Sequence, residues 1–249
     1  MTRFLAYAQL VRLPNAFTAM ADICLGALAT GAVTSHGLSF ACLLIASTSL
    51  YSAGMVWNDF FDFEQDLRER AFRPLPSGRV ARRTAAWLGL SLLVTGVAFA
   101  GAADQASGSE RWRALTVAGL LVAAILLYDG WLKRTALGPI AMGSCRFLNI
   151  LLGLTAIGQP IPTWGWLLAL AIATLWCHEL GEHVLQQGES ARRQIDPGPT
   201  RELSLFQLGL RWLKRALAVA VYLLPAFKAR LSNLKLQPVL SPFAQNGKV

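Results

Sequence analysis

The sequence predicts an all-α protein, a polytopic bundle of membrane-spanning helices, and three observations carry that prediction. Hydrophobic residues fill 54% of the 249 positions and charged residues only 15%, against about 25% charged in soluble domains. The missing charge is concentrated, because several long stretches hold almost none, and a helix of roughly 20 apolar residues crosses the hydrocarbon of a bilayer. Lys and Arg then gather in short segments between those stretches, as they do where loops mark their side of a membrane. A water-soluble core of this size would need a polar exterior that the chain does not supply.

The amino terminus, Met-Thr-Arg-Phe, lacks the basic region and small-residue cleavage site of a signal peptide, so the first apolar stretch is expected to be retained. Six segments read as spans: residues 15–35, 38–57, 84–103, 114–128, 136–157 and 163–177. Gln159-Pro160-Ile161-Pro162 separates the last two, since proline ends one helix and can begin the next. A seventh candidate, residues 203–227, is interrupted by Arg211, Lys214 and Arg215; it is compatible with a span or with a helix lying in the interface. Residues 189–199 are polar and residues 235–249 read as a disordered end. The expected division is a transmembrane core over residues 1–178 and a divergent polar and basic region over residues 179–249.

Orientation follows from the basic residues. Arg3 and Arg12 precede the first span, residues 68–83 fill the second-to-third loop, Lys133 and Arg134 the fourth-to-fifth, and Arg192 and Arg193 follow the sixth. With every segment crossing, all four places fall on one side, which the positive-inside rule makes cytoplasmic. The expected location is therefore a multi-pass protein of a bacterial inner or plasma membrane. The net charge of +9 is topological on this reading, and no nucleic-acid partner is expected. Cys24, Cys42, Cys145 and Cys177 lie in or beside apolar segments without CxxC spacing, and read as small core residues.

The second span ends in Asn58-Asp59-Phe60-Phe61-Asp62-Phe63-Glu64-Gln65-Asp66. If the helix continues, Asn58, Asp62 and Asp66 recur every fourth residue on one face, with neighbours about 5–6 Å apart at Cβ. Oxygen-only ligands suit a hard cation such as Mg²⁺, which keeps waters and is completed by phosphate oxygens. A prenyl diphosphate, with an apolar tail and an anionic head, fits such a site at a membrane surface. The plainer reading is a polar helix end whose acids are simply solvated.

The following loop contains Arg73-Pro74-Leu75-Pro76-Ser77-Gly78, and with the acidic run before it the pair resembles the first aspartate-rich motif of the UbiA superfamily of intramembrane prenyltransferases. The resemblance implies that Asn58, Asp62 and Asp66 hold Mg²⁺ and diphosphate, and that Arg73 helps close the site. Tyr128-Asp129-Gly130-Trp131-Leu132-Lys133-Arg134 is similar to the family's tyrosine and Lys-Arg segment, which gives Tyr128 to the substrate site and Lys133 and Arg134 to the departing diphosphate. Taken alone, two basic residues in a cytoplasmic loop are more often just a topology signal. Segments 12–22 and 143–153 resemble a UbiA-like branch whose acceptors are poorly defined.

Within the spans, Asp22 and Arg146, the latter near Asn149, are costly at bilayer depth, about 2.5–3.5 kcal/mol each on insertion scales. They line a polar cavity, pair with one another, or snorkel. Family members have nine helices and a second acidic motif after the sixth, where this chain offers Cys177-His178-Glu179-Leu180-Gly181-Glu182-His183. Glu179 and Glu182 are candidate metal ligands there, with one residue fewer between them than the family pattern. His178 and His183 are five apart, which does not match the HExxH zinc spacing. On these residues the resemblance ends near Cys177, as a diverged carboxyl end or a shifted reading frame would make it. The expected activity is Mg²⁺-dependent transfer of a prenyl group from a prenyl diphosphate to an unidentified aromatic or lipophilic acceptor. The alternatives are a non-catalytic binder of prenyl diphosphate and an ion-coupled transporter.

Overall fold

The structure is a computed structural model that describes residues 3–109, 111–135, 137–175 and 177, all within one compact unit, Met1–Gln187. Every regular element among them is helical. In chain order these are α1 (Arg3–Leu10), α2 (Ala16–Thr30), α3 (Ala32–Ser35), α4 (Gly37–Phe61), α5 (Phe63–Glu69), α6 (Arg82–Ala106), α7 (Arg113–Gly130) and α8 (Gly138–Leu154). A shorter apolar helix, α9 (Thr163–Leu175), follows. Single 3-10 turns at Leu13–Asn15, Leu132–Arg134 and Thr155–Ile157 join or extend them.

Five of the helical segments are long and apolar enough to cross a membrane: Leu13–Thr30, Gly37–Phe61, Arg82–Ala106, Arg113–Gly130 and Gly138–Ile157. They match the first five expected spans, and the chain is an integral, multi-pass membrane protein. The expected first span runs on to residue 35, but the chain turns at Gly31, whose φ of 76° is the left-handed conformation that ends a helix. The expected sixth span corresponds to α9, which is 13 residues long where its helix is described. The seventh candidate, Glu179 and Glu182, and the expected 178/179 division lie outside the described residues. Helix α1 was not expected: it sits on the polar side of the first span and buries Ala6 and Leu10.

Helix α4 runs through the middle of the bundle, against α2, α6 and α7. Leu43, Ala46, Leu50 and Ala53 are fully buried along it. Large apolar side chains such as Leu38, Trp87, Val94, Leu120 and Ile140 remain exposed on the outer faces, which suits lipid rather than water. Helices α2 and α8 meet backbone to backbone: a Cβ at Gly26 would stand 2.6 Å from the Gly153 carbonyl carbon. Small residues permit that approach where no hydrophobic drive between helices exists.

One end of the bundle is closed by a second apolar cluster. Ala6 and Leu10 of α1, Leu75 and Val80 of the α5–α6 loop, Val56 of α4 and Ala85 of α6 pack together. The loop is internally bonded, with Ser77 N–H donating to the Arg73 carbonyl at 3.0 Å and Val80 N–H to that of Pro74 at 3.1 Å. Gly78 turns it at φ 72°. The segment carrying Arg73 is therefore held over the end of α4.

Candidate active site

Asp62 stands at the junction of α4 and α5, with φ −87° and ψ 5°. The helical register survives the junction, because Asp62 N–H donates to the Asn58 carbonyl at 3.0 Å and Asp66 N–H to that of Asp62 at 2.8 Å. The acidic run thus lies on a continued helical path, and the predicted recurrence of Asn58, Asp62 and Asp66 is present in the backbone.

The side chains divide into two linked groups. Lys133 Nζ lies 2.8 Å from Asp62 Oδ2 and donates to Asn58 Oδ1 at 3.1 Å. Arg134 reaches Asp62 Oδ1 at 3.3 Å, but its side chain is 58% exposed, so solvent screens much of that attraction. On the adjacent face, Arg73 Nη1 donates to Asp66 Oδ2 at 2.7 Å and to Asp59 Oδ1 at 3.3 Å. Arg12 donates to the same Asp59 oxygen at 3.2 Å, and Arg70 lies 3.8 Å from Asp66. Asn58 Nδ2 to Asp59 Oδ1, at 3.5 Å, joins the two groups.

Asp59 and Arg12 were missed as site residues by the fourfold spacing. Asp59 is one step around the helix from Asn58 and is buried against the α1–α2 connection. The signal that could have found the pair was Arg12 beside an acid that the recurrence left unassigned. Arg12 also adopts φ 49° and ψ 49°, a left-handed conformation that costs a non-glycine residue about 1–2 kcal/mol. That conformation coincides with the presentation of its guanidinium to Asp59.

Asp22, Arg146 and Asn149 form a separate network deeper in the bundle. Arg146 Nη1 lies 2.5 Å from Asp22 Oδ2 and 3.1 Å from the Thr18 carbonyl. Asn149 Nδ2 donates to Asp22 Oδ2 and to the Ala19 carbonyl, both at 3.0 Å. Ser47 donates to Asn149 Oδ1 at 2.7 Å. Of the three options left open above, the two intramembrane charges pair. Tyr51 of α4 lies within electrostatic reach of both Arg12 and Arg146, and Tyr128 of both Asp62 and Arg12. Tyr51 is thus within reach of both polar networks, and Tyr128 of the first.

The donor set of Asn58, Asp59, Asp62 and Asp66 is oxygen only, which fits Mg²⁺; one or two carboxylates with substrate phosphates commonly suffice for that ion. Among the described residues no three His, Cys, Asp or Glu side chains converge closely enough to hold a metal between them. Each of the three acids is engaged by Lys or Arg instead. Five basic groups frame these carboxylates, enough to hold a polyanion once a divalent cation took their place on the acids.

The acidic terminus of α4 and α5 is thus framed by basic residues at one end of a bundle of apolar spans. The chain matches the UbiA prenyltransferase family over residues 19–229 and belongs to it. That match continues well past Cys177, where the motifs alone ended the resemblance. The digeranylgeranylglyceryl phosphate synthase of Methanopyrus kandleri is 32% identical over 166 residues, covering 67% of this chain and 58% of the relative. The protoheme IX farnesyltransferase of Salinispora tropica is 32% identical over 148 residues, or 57% of this chain and 43% of the relative. The chain thus spans about half the length of these relatives. A solved structure, described as a digeranylgeranylglyceryl phosphate synthase in membranes, shares the fold with TM-score 0.64 and 23% identity, covering 77% of this chain and 66% of its own.

Proposed function

We propose that the chain catalyses Mg²⁺-dependent transfer of a prenyl group from a prenyl diphosphate to a lipophilic or aromatic acceptor, at a site facing the cytoplasm. The observation that carries the reading is Lys133 bridging Asn58 and Asp62 beside Arg73 bridging Asp59 and Asp66. On this reading Asn58, Asp62 and Asp66, joined by Asp59, hold the ion, and Glu179 and Glu182 are candidates for a second half-site. Mg²⁺, when bound, would neutralise the diphosphate and improve it as a leaving group.

The chain's own residues do the rest. Lys133, Arg134 and Arg73 exchange carboxylate oxygens for diphosphate oxygens, and this preorganised positive charge stabilises the departing group. The held α5–α6 loop keeps Arg73 in place beside the acids. Tyr128, Arg146, Asn149 and Asp22 would meet the prenyl chain and acceptor on this reading. The cytoplasmic orientation is supported by Arg12, the 68–83 segment and Lys133–Arg134 meeting at one end. Relatives named for glyceryl phosphate and haem products support a lipid or a large aromatic acceptor.

A second reading, retention of prenyl diphosphate without turnover, is favoured by the engagement of every motif acid with a basic group. The test is the full chain in liposomes with geranylgeranyl or farnesyl diphosphate, with Mg²⁺ or EDTA, scoring donor retention and prenylated product separately. Prenyl transfer expects product only with Mg²⁺. Full activity in an Asp62→Asn, Asp66→Asn double variant sinks it, and retention without product favours the binder.

A further inference from the structure

Four buried aspartates of this bundle are held by donors, one of them Asp66 by Arg73. Asp22 has Arg146 and Asn149, Asp59 has Arg12 and Arg73, and Asp104 takes the backbone N–H groups of Ala114 at 3.0 Å and Leu115 at 2.9 Å. Asp129, near the end of α7, is only 3% exposed, yet among the described residues none donates a hydrogen bond to it. Lys133, four residues on, acts on it electrostatically but spends its contacts on Asn58 and Asp62. Buried polar side chains ordinarily have such partners, which sets Asp129 apart from the other buried aspartates.

Its position is specific. Gly54, Asn58 and Asp62 follow one another at fourfold spacing along α4 to its end, and Asp129 faces the first of them: a Cβ at Gly54 would stand 4.0 Å from Asp129 Oδ2. Lys133 faces the next two. Asp129 therefore lies about one helical turn, about 5.4 Å, further from the water than the head-group cations. Ile125, one turn before Asp129 on α7, packs closer still, with its Cγ2 3.3 Å from that Cβ position, so glycine at 54 lets α7 approach α4 at this level. The charged and titratable groups around it are Asp59 and Asp62 of α4, Arg12, Lys133, Tyr128 of its own helix and Cys145 of α8.

A prenyl diphosphate with its head at Lys133 and its tail along the apolar helices brings its first carbon to the level of Asp129. Transfer breaks the bond between that carbon and the diphosphate oxygen, and the electron pair leaves with diphosphate. A lone pair of an acceptor hydroxyl forms the new carbon–oxygen bond, and the hydroxyl proton must then depart. Resting on the prenyl-transfer reading above, we propose that Asp129 is the general base that takes this proton, which makes the acceptor a protic one, an alcohol or phenol.

The experiment uses the full chain in liposomes with 1-tritiated geranylgeranyl diphosphate and Mg²⁺. Geranylgeranylglyceryl phosphate serves as the alcohol and a para-alkyl phenol as the phenol. Asp129→Asn is expected to lower transfer on the order of 100-fold, while Mg²⁺-dependent retention of the thiolodiphosphate analogue changes by no more than about twofold. Diphosphate released per acceptor prenylated should rise, and Asp129→Glu should restore part of the transfer. Unchanged transfer in Asp129→Asn, or an equal loss of donor retention, overturns the assignment. So does a wild type that retains the donor yet prenylates neither acceptor. A wild type that retains no donor removes the prenyl-transfer reading, and this assignment with it.

Discussion

Lys133 and Asp62, 2.8 Å apart with side chains only 11% and 15% exposed, tie the turn after α7 to the junction of α4 and α5. The contact joins residues that lie on different spans and makes the acidic motif part of a three-dimensional site. It also predicts asymmetry between the two neighbouring basic residues.

Lys133→Met should weaken Mg²⁺-dependent retention of a prenyl thiolodiphosphate by about tenfold or more, because a buried charge-assisted contact contributes about 1.5–3 kcal/mol. Arg134→Met should change it by less than about fivefold, in line with a mostly exposed pair worth about 0–1 kcal/mol. Equilibrium binding to the two variants side by side checks this. Equal losses would mean that the closeness of Lys133 to Asp62 has no bearing on the donor.

The pair Asp22 and Arg146 is expected to matter for stability before it matters for anything else. Asp22→Asn or Arg146→Met alone leaves the other group charged and unpaired at bilayer depth, at about 3–5 kcal/mol for a buried pair broken from one side. The double variant should be more stable than the sum of the two losses, with a coupling of about 1–3 kcal/mol. Thermal unfolding in detergent of the four forms measures it, and strict additivity would show that the two charges do not sense one another.

Much of this architecture is legible from composition, because desolvation acts on each residue wherever it is, and long apolar segments declare themselves one at a time. The acidic run was legible too, since its spacing is local. What sequence could not supply were relationships set by helix rotation. Asp59 needed Arg12, which is 47 residues away, and Asp22 could pair, snorkel or line a cavity until α2 and α8 were placed. Asp104 gives no local sign of its task, because accepting the first amides of α7 belongs to the following helix.

That arrangement at Asp104 predicts a graded effect. Asp104 is buried, and its two oxygens take two of the four N–H groups that a helix start leaves without intrahelical partners. Asp104→Ala should destabilise the fold by about 1–2 kcal/mol, as loss of a capping side chain does. Asp104→Asn keeps one acceptor oxygen and should lose roughly half of that. Unfolding temperatures in one detergent order the three forms, and a destabilisation by Asn equal to that by Ala would contradict the two-oxygen contact.

The contact of α2 with α8 sets the last prediction, because there is no side chain to move out of the way. A Cβ at Gly26 would meet the Gly153 carbonyl carbon at 2.6 Å and the Leu154 nitrogen at 2.7 Å, and a Cβ at Gly153 would meet the Ile23 Cα at 2.9 Å. Backbone atoms can yield only if the helices part, which also pulls Asp22 away from Arg146 and Asn149. Gly26→Ala should therefore cost about 1–3 kcal/mol, the range for overpacking. Gly119→Ala on α7, where a Cβ would find nothing within 4 Å, is the matched control. It should be neutral or stabilising by up to about 1 kcal/mol, since alanine is the better helix former. Thermal unfolding of both variants decides the point: if Gly26→Ala is as stable as Gly119→Ala, the two helices do not approach as closely as described.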